Sequence, residues 1–205
     1  MPKKTPTLHA IGERQSNLLV GTLLGDAFCP KLAIRQKNRS IRWEHGAEQK
    51  DYAAWKADQV GLEWSPFERS RLDKRTGKIY GSFTACLKAN PCFNVLYDQF
   101  YKDGKKIVSV ETLNKLSPEA IAVWYCDDGS LYWTSDTKHL TLSTQCFSDE
   151  DRKTIIAFFK DRFGLDFRIN QKAIRLVSKA GIEMFLKLVE PFIPQCMKYK
   201  IERRT

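Results

Sequence analysis

Two aspartates carry the chemistry that this sequence suggests. Asp26 ends the apolar, small-residue stretch "LVGTLLGDA" (19–27), and Asp128 ends "IAVWYCDDG" (121–129). They stand 102 positions apart in a chain of 205, close to half its length. Each stretch predicts a buried helix with an acid at its C-terminal end. A carboxylate there meets an unfavourable helix dipole, and two such carboxylates brought together repel each other. Divalent cations, which take hard oxygen ligands, answer both problems. Successive helical residues point about 100° apart, so Asp127 aligns with Gly25 and Asp128 with Asp26. Asp128 therefore reads as the ligand, and Asp127 as an ordinary terminal acid beside it.

For the two acids to converge, the two helices must lie side by side. Gly21 and Gly25 sit four apart on one face. Glycine costs roughly 1 kcal/mol inside a helix, which makes sense where another backbone approaches closely. Ala122 and Cys126 offer the same spacing in the second stretch, shifted by one position.

The surrounding pattern is duplicated. In the second half, Ser117-Pro118 caps and opens a helix that runs to Asp128 and stops at Gly129. Alternation in "HLTLSTQ" predicts a strand. Ser148, with Asp151 three residues on, caps a helix ended by Gly164. "DFRIN" and "AIRLVS" predict two strands, and a last helix covers about 180–189. In the first half, a helix over 17–26 precedes strands at "KLAIRQ" and "SIRWEH". A helix over 47–61 follows, then strands "FERSRLD" and "IYGSFTAC" and a helix over 90–103 closed by Gly104. Asp26 to Gly61 is 35 residues and Asp128 to Gly164 is 36, so the two halves share one plan.

Composition narrows the partners. Thirty-four Lys and Arg against 24 Asp and Glu leave a net charge of +10, which points to nucleic acid before an anionic membrane. No apolar run is long enough to cross a membrane, and "MPKKTPT" is too short and polar for a signal peptide. The six cysteines show no C-x-x-C spacing, which argues against zinc and suits reduced intracellular thiols. Three histidines leave little from which to build a histidine-based nuclease site.

The two stretches resemble the paired motifs of LAGLIDADG homing endonucleases of the single-chain, two-motif branch. Val123 and Trp124 depart from the name-giving motif, and Ala27 replaces its final glycine, but neither change touches the acids. "LSTQCFS" and "PQCMKYK" are similar to this branch as well. The resemblance covers about residues 15–202. It implies an α+β fold of two pseudo-symmetric αββαββα repeats with saddle-shaped antiparallel sheets, and with the motif helices packed at the central seam. It divides the chain into a basic N-terminal arm (1–14), an N-terminal repeat (15–104), a linker (105–116) and a C-terminal repeat (117–205).

The implied activity is hydrolysis of double-stranded DNA at a long asymmetric site, leaving short 3′ overhangs. Asp26 and Asp128, with Gly25 and Asp127 alongside, would hold Mg²⁺, with Mn²⁺ or Ca²⁺ able to replace it in binding. A basic residue is expected near each centre. Lys106 and Lys200 match, with Lys105 and Lys198 as rivals. Strands can read base edges in the major groove. Expected readers are Lys31, Arg35, Arg42, Arg69, Arg71, Thr141, Ser143, Gln145, Arg168, Asn170 and Arg175, while Lys74, Arg75 and Lys78 at a hairpin tip would contact phosphates. The expected state is a monomer, encoded within an intron, acting on DNA in the cytoplasm or nucleoid or in an organelle matrix. An intron-RNA maturase and a catalytically inert DNA-binding protein are the alternatives on the same scaffold.

Overall fold

The computed structural model describes residues 11–133 and 137–202. Residues 1–10 of the basic arm lie outside the described residues. The centre is a pair of helices, α1 (Glu13–Leu24) and α5 (Pro118–Asp128). Residues 18–24 and 120–126 are buried all round, which is why these segments read as uniformly apolar and slim. The close approach predicted at Gly21 occurs: a Cβ there would lie 2.3 Å from the Ala120 carbonyl oxygen. Gly25 faces Asp127 instead, whose carboxylate oxygen would be 2.4 Å from its Cβ.

Each motif helix feeds an antiparallel sheet. In the second half, β6 (Gly129–Trp133) pairs β7 (Lys138–Ser143), which pairs β9 (Ala173–Leu176), which pairs β8 (Arg168–Asn170). In the first half the order is β1 (Arg39–Gly46), β3 (Ile79–Asn90), β2 (Trp64–Leu72). The strand expected at "KLAIRQ" does not form. Only a single bridge, Phe28 to Arg42, stands where β6 stands in the other half. Pro30 has no N–H to extend that ladder, Ile34 projects fully into solvent, and Leu32 is only partly covered.

Helices cover one face of each sheet. In α2 (Lys50–Val60) the buried positions are 52, 53, 56, 57 and 60, one stripe of a 3.6-residue period. In α6 (Asp149–Phe163) Ser148 and Asp151 form the predicted capping box, and Gly164 ends the helix at φ 67°. Helix α7 (Lys179–Val189) closes the second half. Helix α3 (Cys92–Phe100) is shorter than its sequence suggests. At Tyr101 the chain enters a two-stranded ribbon, β4 (Tyr101–Lys102) and β5 (Lys105–Lys106), turning through Asp103 and Gly104 at φ 52° and 78°. A short helix, α4 (Val110–Asn114), then leads to α5. Among the described residues no helix is long and apolar enough to cross a membrane.

Candidate active site

The C-terminal ends of α1 and α5 bring Asp26 and Asp128 together. Burial pushes the Asp128 carboxyl up to about 7, and the charges of Asp26 and Asp127 push the same way. Asp26 is raised too, first by burial and then by Asp127. Its side chain is 39% exposed. Among the described residues no hydrogen-bond donor reaches the Asp128 carboxylate. A half-buried, donor-free carboxylate beside a second acid fits a cation.

One lysine stands at each centre. The β4–β5 ribbon delivers Lys106, whose Nζ donates to the Gly25 carbonyl at 2.9 Å. A 3₁₀ turn over residues 195–200 delivers Lys200, whose Nζ donates to the Asp127 and Gly129 carbonyls at 3.2 and 3.0 Å. Burial lowers both lysines from their ordinary value. The rivals stand elsewhere: Lys105 is exposed, and Lys198 reaches the Glu190 carbonyl.

Asp127 is not an ordinary terminal acid. Its carboxylate is fully buried and pairs with Lys56 Nζ at 2.7 and 2.9 Å. Tyr52 donates to it at 2.8 Å. Asp26, His45 and Asp127 could by spacing form a three-ligand metal group. The Lys56 ammonium fills that space, lying 3.3 Å from His45 Nε2, so the group already has its cation. Lys56, Tyr52 and His45 escaped the sequence reading. The available signal was a lysine set in the middle of the buried stripe of α2.

The faces of the two sheets opposite the helices are open and carry polar residues. In the second half Ser130, Thr141, Arg175 and Arg168 stand in register across the four strands. Ser143 and Asn170 share that face, both opposite Ala173. In the first half Arg42 pairs Cys86, Arg69 pairs Ser82 and Arg71 pairs Tyr80, which sets the three arginines on one face. The guanidinium of Arg42 lies over the Phe28 ring, and that of Arg69 over Phe67. Lys74, Arg75 and Lys78 are exposed at the β2–β3 tip. Gln145 is exposed just after β7. Lys31 and Arg35 are exposed as well, but in the loop that replaces the expected strand and not on the sheet.

The profile of the LAGLIDADG DNA endonuclease family matches residues 16–182, and the chain belongs to that family. It is similar to the homing endonuclease I-WcaI, solved bound to its DNA recognition sequence: the TM-score is 0.84 at 26% identity, over 98% of this chain and 89% of that one. It is 26% identical to the DNA endonuclease I-ChuI of Chlamydomonas applanata, over 94% of this chain and 96% of that protein. It is 28% identical to the RecA protein of Mycobacterium gastri, over 93% of this chain but 48% of that protein. The chain thus spans about half the length of the RecA relatives that it matches.

Proposed function

We propose that this chain is a site-specific double-stranded DNA endonuclease. The observation that carries the reading is the meeting of Asp26 and Asp128 at one seam, each with a half-buried lysine held to the adjoining main chain. Likeness to a homing endonuclease solved on its DNA recognition sequence supports it. The repeats would be residues 15–104 and 117–205, joined by 105–116, in one monomer. DNA would lie along the two open sheet faces. Arg42, Arg69 and Arg71 would meet one half of the target, and Thr141, Ser143, Arg168, Asn170 and Arg175 the other. Because the faces differ in sequence, the target would be long and asymmetric.

Asp26 and Asp128, with the carbonyls of Gly25 and Asp127, would hold Mg²⁺. Bound there, a divalent ion supplies an activated water and charge neutralisation at a phosphate. The side chains' own part is distinct. Asp26 and Asp128 provide carboxylates to which no donor hydrogen-bonds among the described residues. Lys106 and Lys200 provide N–H groups aimed at the centres, able to stabilise charge developing on phosphoryl oxygens.

The test is incubation of the protein with a randomised duplex library in Mg²⁺, with sequencing of cut ends. Staggered cuts at one long site are expected, lost with EDTA and reduced to nicking or abolished by Asp26→Asn or Asp128→Asn. Selective retention of duplex without cutting would overturn the endonuclease reading in favour of a DNA-binding protein. Binding of intron RNA with neither cutting nor retention of duplex would overturn it in favour of a maturase.

A further inference from the structure

The two candidate ligands are held by different means. Asp128 is the last residue of α5, and the helix continues past it through the Gly129 N–H to the Tyr125 carbonyl. Asp26 lies beyond its helix. α1 ends at Leu24, Gly25 leaves helical geometry with ψ −133°, and the Asp26 amide finds its acceptor outside α1. That acceptor is Asp127 Oδ2, at 3.2 Å. We propose that Asp127, fixed by Lys56, is the positioning residue of the Asp26 centre and does for Asp26 what the helix backbone does for Asp128.

Three observations support this. First, the contact crosses the seam in a built slot. Gly25 and Asp127 are matched positions of the two motifs, and the glycine leaves the space that the acid's side chain enters. Second, the acid is clamped. Lys56 and Tyr52, both from α2, hold it with three short bonds, and Lys56 and Asp127 are 1% and 0% exposed. A buried charge pair is weak evidence of net stabilisation, since apolar replacements often do as well, but removing one partner leaves an unpaired buried charge. Third, the same lysine orients His45. An ammonium only donates, so His45 Nε2 accepts from it and the ring proton sits on Nδ1. That N–H faces Gln49 Oε1 at 3.3 Å and the Asp26 carboxylate at 3.7 Å. Asp26 is thus held at its amide by Asp127, while the His45 ring stands beside its carboxylate beyond hydrogen-bond distance, and Lys56 contacts both partners.

The inference rests on the endonuclease reading for its consequence but not for its geometry, and the test separates the two. Two double variants remove both charges: Lys56→Met with Asp127→Ala, and Lys56→Met with Asp127→Asn. The second keeps a side-chain oxygen able to accept from the Asp26 N–H. Without added metal, hydrogen exchange at the Asp26 amide is expected to be at least tenfold faster in the alanine double variant than in wild type, with protection regained in the asparagine one. Equal exchange in the two would overturn the proposal whether or not the protein cuts DNA. On a target cut by wild type, with the strands labelled separately, the alanine variant is expected to slow tenfold or more the strand that Asp26→Asn spares least. Cutting of the other strand and DNA affinity should stay within about threefold. Equal slowing of both strands would reduce the pair to a purely structural role. Failure of wild type to cut any duplex would sink the endonuclease reading and leave the exchange result to decide the positioning.

Discussion

Lys106 Nζ lies 2.9 Å from the Gly25 carbonyl, and Lys200 repeats that relation with the Asp127 carbonyl at 3.2 Å. Gly25 and Asp127 each precede a candidate ligand. The two lysines therefore occupy matched places although one arrives on a β-ribbon and the other on a 3₁₀ turn. Different local structures converge on one arrangement about the seam.

If both lysines act on developing charge, Lys106→Met and Lys200→Met should each slow one strand's cut, and different strands. Loss of one preorganised donor costs on the order of 10²–10³ in rate. Strand-resolved single-turnover kinetics checks this, with the dissociation constant expected within a few-fold of wild type. Slowing of both strands by either variant would contradict the assignment of one lysine to each centre.

The raised Asp128 carboxyl has a consequence for stability. An unfolded aspartate titrates near 4, and in the fold Asp128 titrates near 7. The folded state therefore binds the extra proton between those values. The contribution is fully present below pH 4 and is lost as pH rises towards 7. Asp128→Asn removes the penalty. Without divalent ions the variant should match wild type near pH 4 and exceed it at pH 8 by about 1–3 kcal/mol, a shift discounted for water at a half-buried group. His45, lowered to about 4 by burial and by Lys56, slopes the opposite way in both proteins and cancels in the difference. Urea titrations at the two pH values give the comparison.

The motif acids, the helix caps at Ser117 and Ser148 and the duplicated element order were legible because each rests on local chemistry: a spacing, a cap or an alternation. The missing strand at "KLAIRQ" was not legible. Alternation marks a segment able to pair, and whether a partner edge continues past Phe28 depends on the fold. Lys56 was half legible. Its place in an apolar stripe is visible in the sequence, but its counter-ion stands 71 residues away across the seam. Asp127 misled for the same reason, since helical angles separate it from Asp128 without revealing what waits on the side to which it points.

The close approach at Gly21 sets two effects against each other. Alanine is the better helix former by roughly 1 kcal/mol. Its Cβ would stand 2.3 Å from the Ala120 carbonyl oxygen, and that neighbour is backbone inside another helix, unable to swing aside. Overpacking of this kind costs typically 1–3 kcal/mol, and with the gain in propensity set against the upper part of that range Gly21→Ala should lower stability by about 1–2 kcal/mol net. A rise in the urea midpoint would show that the two helices can part without loss.

The β2–β3 hairpin extends beyond the core, with β2 exposed along nearly its whole length and Lys74, Arg75 and Lys78 at its tip. The short β8 and β9 give the second half no counterpart of that length. These three side chains belong to no ion pair among the described residues, so their charge is free to neutralise phosphates. Each phosphate contact contributes about 0.9 to the slope of log affinity against log salt concentration. Changing all three to alanine should therefore flatten that slope by about 2–3, and weaken binding to target and non-target duplex alike. Arg175→Ala, on the open face of the second sheet, should instead reduce discrimination among target variants while changing the slope by about one at most. Titrations of wild type and both variants on matched and mismatched duplexes at several salt concentrations separate the two kinds of contact. A tip variant that changed specificity without changing the slope would mean that the hairpin reads bases and does not merely grip the backbone.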